Sequence, residues 1–158
     1  MFKPEGIYPA LVTPFTDDGK QVDEERLRSL VDYCIELGVN GLVPCGTTGE
    51  FVNLTLEERK RVIKVVVDEA NGKVPVVAGT GATGTNEALE MVKYAKDVGA
   101  DAALIVTPFY LKPTNRGIYQ HYYTIATSVD FPIIMYNIPQ CTGAVSYTHL
   151  TLPTILLV

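Results

Sequence analysis

Pro44-Cys45-Gly46-Thr47-Thr48-Gly49-Glu50-Phe51 follows directly on the short apolar run Gly41-Leu42-Val43. The stretch is too polar for a strand and too glycine-rich for a helix interior, so it reads as a loop at the end of a strand. Four more apolar runs predict strands that end in loops of this kind. Ile7 to Thr13 runs into Thr13–Gly19 (TPFTDDG), and Val74 to Ala78 into Gly79–Gly84 (GTGATG). Ala102 to Val106 runs into Thr107–Thr114 (TPFYLKPT), and Phe131 to Tyr136 into Asn137–Gly143 (NIPQCTG). By contrast, the loops that lead into strands, such as Glu36–Asn40 and Asp97–Asp101, are short and plain.

Between these strands the sequence predicts helices, with a repeat of about 30 residues. One runs from about Asp23 to Leu37, with Leu27, Leu30, Val31, Cys34 and Leu37 on one face and Gly38 as its stop. Thr55-Leu56-Glu57-Glu58 is a capping box that opens the next, whose buried stripe is Val62, Val65, Val66 and Ala70. The third runs from about Thr85 to Val98 through Ala88, Met91, Val92 and Ala95. The fourth runs from about Asn115 to Ser128, with Ile118, Tyr122, Ile125 and Ala126 inward. The short strands are solidly apolar, as parallel strands buried on both faces are. Such repeats build either a doubly wound sheet or a (β/α)8 barrel, and in both the chemistry lies at the C-terminal ends of the strands. The polar loops all lie at that end.

Composition narrows the function classes. Hydrophobic residues make up 47% and charged residues 20% of 158 residues, as in a soluble one-domain protein. A net charge of −5 and a pI near 5.0 argue against nucleic acid and anionic membrane as partners. No apolar run approaches the ~20 residues that span a bilayer, and Met1–Pro9 has no apolar signal core, so a cytoplasmic location is the default. Cys34, Cys45 and Cys141 form no CxxC pair, and they read as small hydrophobes in a reducing compartment. His121 and His149 are too few and too far apart for a metal site. One rival reading remains: Gly79-Thr80-Gly81-Ala82-Thr83-Gly84 matches GxGxxG between a strand and a helix. A dinucleotide site would carry it at the first strand and would place an acid at the end of the next strand. Here two units precede it, and Asp101 lies at the wrong end of Ala103–Val106. A tight turn with exposed amides is the preferred reading.

Five motifs in register carry a specific likeness: ALVTPF (Ala10–Phe15), GTTGE (Gly46–Glu50), VAGTGA (Val77–Ala82), VTPFY (Val106–Tyr110) and YNIP (Tyr136–Pro139). Through them the chain from about Ile7 to Gly143 resembles the dihydrodipicolinate synthase / N-acetylneuraminate lyase family. These are (β/α)8 class I aldolases that form a Schiff base with pyruvate and use neither metal nor cofactor. The resemblance implies that backbone amides and the hydroxyls of Thr47 and Thr48 hold the pyruvate carboxylate. Successive amides in a turn of small residues do make an anion nest. It also implies a proton relay of Thr47, Tyr110 and Tyr136, with Tyr110 reaching the site of a neighbouring subunit in a homo-oligomer. The reaction implied first is condensation of pyruvate with aspartate semialdehyde, as in 4-hydroxy-tetrahydrodipicolinate synthases. An N-acetylneuraminate or sugar-acid aldolase is the alternative within the family. An inactive fragment or a non-catalytic carboxylate-binding module is the alternative outside it.

The sequence departs from the family pattern in two places. The synthase branch usually has Arg before the Thr-Gly of the fifth loop, where it faces the second substrate. Here that place is Cys141, a substrate-binding position without charge or fork. Second, the Schiff-base lysine lies on the family's sixth strand, and the last lysine here is Lys112. A full barrel needs about 250 residues. The expectation is therefore a truncated TIM barrel of about five strands and four helices over residues 1–143. Residues 144–158 (AVSYTHLTLPTILLV) carry no Asp, Glu, Lys or Arg, and Pro153 interrupts any helix. They read as a non-family tail, foreign or adapter-derived in translation, with a divergent edge strand as the rival.

Overall fold

A computed structural model of the chain describes residues 2–145 and the backbone of residues 155–157. Helix α1 spans Glu24–Glu36, and the Asp23 carboxylate caps it by accepting the Arg26 amide at 2.9 Å. Gly38, at φ +77°, takes the left-handed turn that ends it. Leu27, Val31 and Cys34 are buried as predicted, but Leu37 is 66% exposed. Leu37 is the C-cap, where the helical phase stops and the chain turns away. Helix α2 spans Leu56–Ala70 and opens on the predicted capping box. The Thr55 hydroxyl accepts the Glu58 amide, and the Glu58 carboxylate accepts the Thr55 amide at 2.8 Å. Helices α3 (Thr85–Asp97) and α4 (Asn115–Ser128) follow their predicted stripes. Full burial of Ile118, Tyr122 and Ile125 on α4 is worth about 1.5–3 kcal/mol per side chain.

The strands are β1 (Val77–Gly79), β2 (Ala102–Val106), β3 (Ile133–Tyr136) and β4 (Ile155–Leu157), paired in parallel in the order β1-β2-β3-β4. The two predicted N-terminal strands pair through single bridges, Ala10 with Val43 and Leu42 with Val76. Proline is the reason: Pro9, Pro14, Pro44 and Pro75 have no amide to donate, so each ladder is cut to a few bonds. Those bonds are well formed, from Leu11 to the Val43 carbonyl (3.0 Å), Val43 to Pro9 (3.0 Å), Leu42 to Pro75 (3.0 Å) and Val77 to Leu42 (2.9 Å). A short helix, α5 (Pro139–Thr142), lies in the fifth loop, where no helix was predicted. Of the tail, Ala144, Val145 and the β4 backbone are described, and β4 runs parallel to β3 with Ile133 opposite Ile155. The other tail residues, 146–154 and 158, lie outside the described residues.

Spatial order along the wall equals chain order throughout, from Ala10 to β4. A doubly wound sheet reverses direction at a switch point. No reversal occurs among the described residues, so the alternative left open by the repeats resolves towards a barrel wall. The two faces of that wall alternate with period two. Ala78, Ala103, Ile105, Ile133 and Met135 face the helices in the larger core. Val77, Ala102 and Ile134 face the other way, with Val43, Tyr8 and Leu104, on the concave side. Parity then places Tyr136, two residues after Ile134, on the concave side at the C-terminal end. His121 on α4 belongs to the helix layer. Its Nδ1 lies 3.0 Å from the Thr85 hydroxyl, and burial pushes its pKa down to about 4, which keeps the imidazole neutral. Among the described residues no helix is long and apolar enough to cross a membrane.

Candidate active site

The loop after Val43 is a tight turn held at both ends. The Gly49 amide donates to the Gly46 carbonyl (3.1 Å) and the Glu50 amide to the Thr47 carbonyl (3.0 Å). The Thr13 hydroxyl, from the first polar loop, donates to the Gly49 carbonyl at 2.8 Å. Cys45 (φ +55°) and Glu50 (φ +53°) bracket the turn in the left-handed region, which costs a non-glycine residue on the order of 1 kcal/mol or more. Such strain persists only where the surroundings enforce it, and here two neighbouring loops do. Among the described residues nothing accepts the amide hydrogens of Thr47 or Thr48, and both residues are exposed. Two successive free amides with a hydroxyl on each residue are what an anion nest requires.

Gly46, Thr47, Thr48 and Tyr136 line one cavity of about 480 Å³ on the concave side, floored by Val43, Val77, Leu104 and Ile134. Three of the predicted site residues therefore meet, two from one loop and one from a strand end. Tyr110 does not join them. It is 91% exposed, at φ +75°, and outside the cavity lining. Cys141, on α5, is also exposed and outside that lining. Its neighbour Thr142 turns inward and closes the loop through the Ile138 carbonyl (3.2 Å) and the Ala144 carbonyl (3.1 Å). None of the eight lysines of the sequence lines the cavity. Cys45 is buried beneath the turn, and burial pushes its thiol pKa up to about 12, against the opposing charge of Arg59. It is a neutral filler and not a nucleophile.

Two of the three glycines of Gly79–Gly84 are explained by proximity, Gly79 against Cys45 and Gly81 against Val106. A side chain on Gly79 would run into the backbone of Cys45, and the Gly79 amide donates to the Pro44 carbonyl at 2.9 Å. Gly81 offers its carbonyl to Arg59 Nη2 at 2.6 Å. Arg59 is a buried charge beside the turn that the sequence reading did not single out. It lies 3% exposed on α2, donates Nη1 to Glu87 at 3.1 Å, and stacks on the Phe51 ring with 5.2 Å to the centroid. Phe51 in turn meets Phe109 edge-on at 5.7 Å. The buried bond to Gly81 is charge-assisted and of a kind worth about 1.5–3 kcal/mol. The pair with Glu87, whose side chain is 47% exposed, contributes about 0.5 kcal/mol. A signal for Arg59 was present: it sits three residues before Val62 and seven before Val66, on the apolar stripe of α2, where a charge needs a partner.

The model of the dihydrodipicolinate synthetase family matches residues 3–153. The 4-hydroxy-tetrahydrodipicolinate synthase of Methanopyrus kandleri strain AV19 is 56% identical over 142 residues, 90% of this chain and 47% of that protein. The synthase of Nitratidesulfovibrio vulgaris strain Miyazaki F is 54% identical over 139 residues, 88% of this chain and 47% of that protein. The crystal structure of the chloride-inhibited dihydrodipicolinate synthase from Acinetobacter baumannii, complexed with pyruvate, superposes with a TM-score of 0.92 at 47% identity, covering 96% of this chain and 54% of that one. The chain spans about half the length of the curated relatives it matches.

Proposed function

The chain belongs to the dihydrodipicolinate synthetase family, and from that premise we propose that it carries the pyruvate-binding half of a Schiff-base aldolase site. The whole enzyme would condense pyruvate with aspartate semialdehyde as a 4-hydroxy-tetrahydrodipicolinate synthase. The wall of parallel strands would be the N-terminal part, residues 1–143, of a (β/α)8 barrel. The observation that carries this reading is the meeting of Thr47, Thr48 and Tyr136 on one cavity, with two free amides in the turn. The carboxylate of pyruvate would take the Thr47 and Thr48 amides and hydroxyls, in charge-assisted bonds. Its carbonyl carbon would then face the lysine that the sixth strand supplies in the family. Tyr136 would pass protons to and from the carbinolamine. A phenol with a pKa near ~10 is a poor acid by itself, so it works through a hydroxyl chain that includes Thr47. Tyr110, exposed and held at positive φ, would complete the relay from a neighbouring subunit of a homo-oligomer. The chemistry needs no metal or cofactor, and the pathway suits the cytoplasm.

Cys141 tells against aspartate semialdehyde and so bears on the second reading, a sugar-acid aldolase, without selecting that branch by itself. An Arg at this position would pair with the semialdehyde carboxylate for about 1.5–3 kcal/mol, and a thiol forgoes that pairing. The loss corresponds to roughly 10- to 150-fold in kcat/KM. The test is a chimera that joins residues 1–143 to the C-terminal half of the Methanopyrus kandleri relative. It should turn over pyruvate with aspartate semialdehyde, and Tyr136→Phe should reduce kcat by about 100-fold or more. A folded chimera without activity on any aldehyde would overturn the aldolase reading. If Cys141→Arg raises kcat/KM for the semialdehyde at least about tenfold and lowers it for sugar-acid aldehydes, the second reading gains. Equal values would make Cys141 a neutral replacement.

A further inference from the structure

We propose that Arg59 is a positioning residue for the candidate active site, holding the Gly46–Glu50 turn and the Gly79–Gly84 loop in one arrangement and so setting the donor geometry of the Thr47 and Thr48 amides. The proposal rests on the carboxylate reading of those amides. Arg59 touches the turn on both sides. Before it, the Cys45 thiol lies 3.7 Å from the Arg59 carbonyl. After it, the Phe51 ring stacks on the guanidinium. The same guanidinium holds the adjacent loop by its Gly81 carbonyl at 2.6 Å. Through Phe51 and Phe109 the contact extends to the loop after β2. One buried side chain thereby ties together three of the loops that form the C-terminal end of the wall.

A purely space-filling role would not call for arginine. Arg59 Nε is buried without an acceptor among the described residues. A buried ion with an unmet donor is a poor stabiliser, and an apolar side chain of similar volume is often neutral or better. Methionine fills that volume but cannot hold the Gly81 carbonyl. Lysine keeps the charge but lacks the planar fork that serves Gly81 and Glu87 at once. The guanidinium is therefore needed for what it orients.

Amide hydrogen exchange on the 15N-labelled 158-residue chain tests this. The Gly49 and Glu50 amides report the turn, the Gly79 and Thr80 amides the neighbouring loop, and the amides of Tyr122 and Ile125 in α4 serve as internal reference. In Arg59→Met the four loop amides should exchange at least about tenfold faster relative to α4, with Arg59→Lys between the two. Pyruvate should bind Arg59→Met at least about tenfold more weakly, a difference of ~1.4 kcal/mol. An unchanged exchange ratio in Arg59→Met overturns the proposal, and so does unchanged pyruvate affinity where the wild type binds. If pyruvate leaves Thr47 and Thr48 of the wild type unmoved, the carboxylate reading fails by itself, and the exchange ratio still decides Arg59. Should Arg59→Met not fold, Glu87→Gln and Arg59→Lys carry the comparison. Glu87→Gln keeps the Gly81 bond and should match the wild type, whereas Arg59→Lys should not. Equal loop exchange in those two variants would also overturn it.

Discussion

Incubated with pyruvate and reduced with borohydride, the 158-residue polypeptide is expected to keep its unmodified mass on every lysine. Schiff-base chemistry needs a deprotonated amine beside the bound carbonyl. Lys60 and Lys64 lie on α2, with Lys60 bound to Glu90 (2.8 Å) and Glu57 (3.1 Å) and Lys64 bound to Asp68 (2.8 Å). The hydrogen bonds that Lys60 donates to Glu90 and Glu57 hold its pKa above its ordinary value, so that amine is even less nucleophilic. Lys93 and Lys96 are exposed on α3, and Lys3, Lys20, Lys73 and Lys112 are exposed in turns and loops. None of them lines the cavity of Thr47, Thr48 and Tyr136. Removal of a covalent nucleophile typically costs about 10⁶-fold in kcat, so turnover should stand at background as well. A stoichiometric adduct on any one of these lysines would refute the placement of the site.

The second large effect is expected at Gly79. Alanine there would drive its methyl into the Cys45 backbone and to 2.9 Å from the Pro44 carbonyl. Both obstacles are main chain, so the strand and the turn must part. Overpacking against backbone costs about 3 kcal/mol, a large share of the ~5–15 kcal/mol that stabilises a domain. For a chain of this size the loss lowers the melting temperature by about 6–12 °C. Gly84→Ala is the control, since nothing lies within 4 Å of a methyl there and its φ is −130°. It should stay within about 1 kcal/mol. The contrast also separates the two readings of the GxGxxG match. In a dinucleotide fold the third glycine permits close helix–strand contact, so Gly84→Ala would be costly. Equal tolerance at both positions, measured by thermal melts, would contradict the proximity of Gly79 to the turn.

Most of the helix layer was legible because its signals are local. The stripe of Ile118, Tyr122 and Ile125 and the Thr55–Glu58 box lie within one or two turns; helix α2 begins where its box places it, and α4 spans the residues the pattern gives. The first two strands were legible as apolar runs but not in extent, because proline sets the length of a ladder and its partner chain sets the register. Tyr136 could be placed on the concave side only after Ile134 was known to face it. Arg59 escaped because its meaning comes from residues distant in sequence, with the Gly81 carbonyl 22 positions away. Tyr110 and Cys141 were readable only through family likeness. Neither lies on the cavity of this chain, so their roles depend on surfaces that a single chain does not set.

The most direct measurement is a pyruvate titration of the 15N-labelled chain, followed by amide chemical shifts, with neutral pyruvamide in parallel. If the Gly46–Glu50 turn is a carboxylate nest, the largest and saturable shifts fall on the Thr47 and Thr48 amides, with Tyr136 next. Pyruvamide, which has the same shape but no charge, should leave all three nearly in place. Equal shifts from both compounds, or pyruvate shifts confined to the basic side chains of α1 and α2 with Thr47 and Thr48 unmoved, would contradict the assignment of this loop as the pyruvate site.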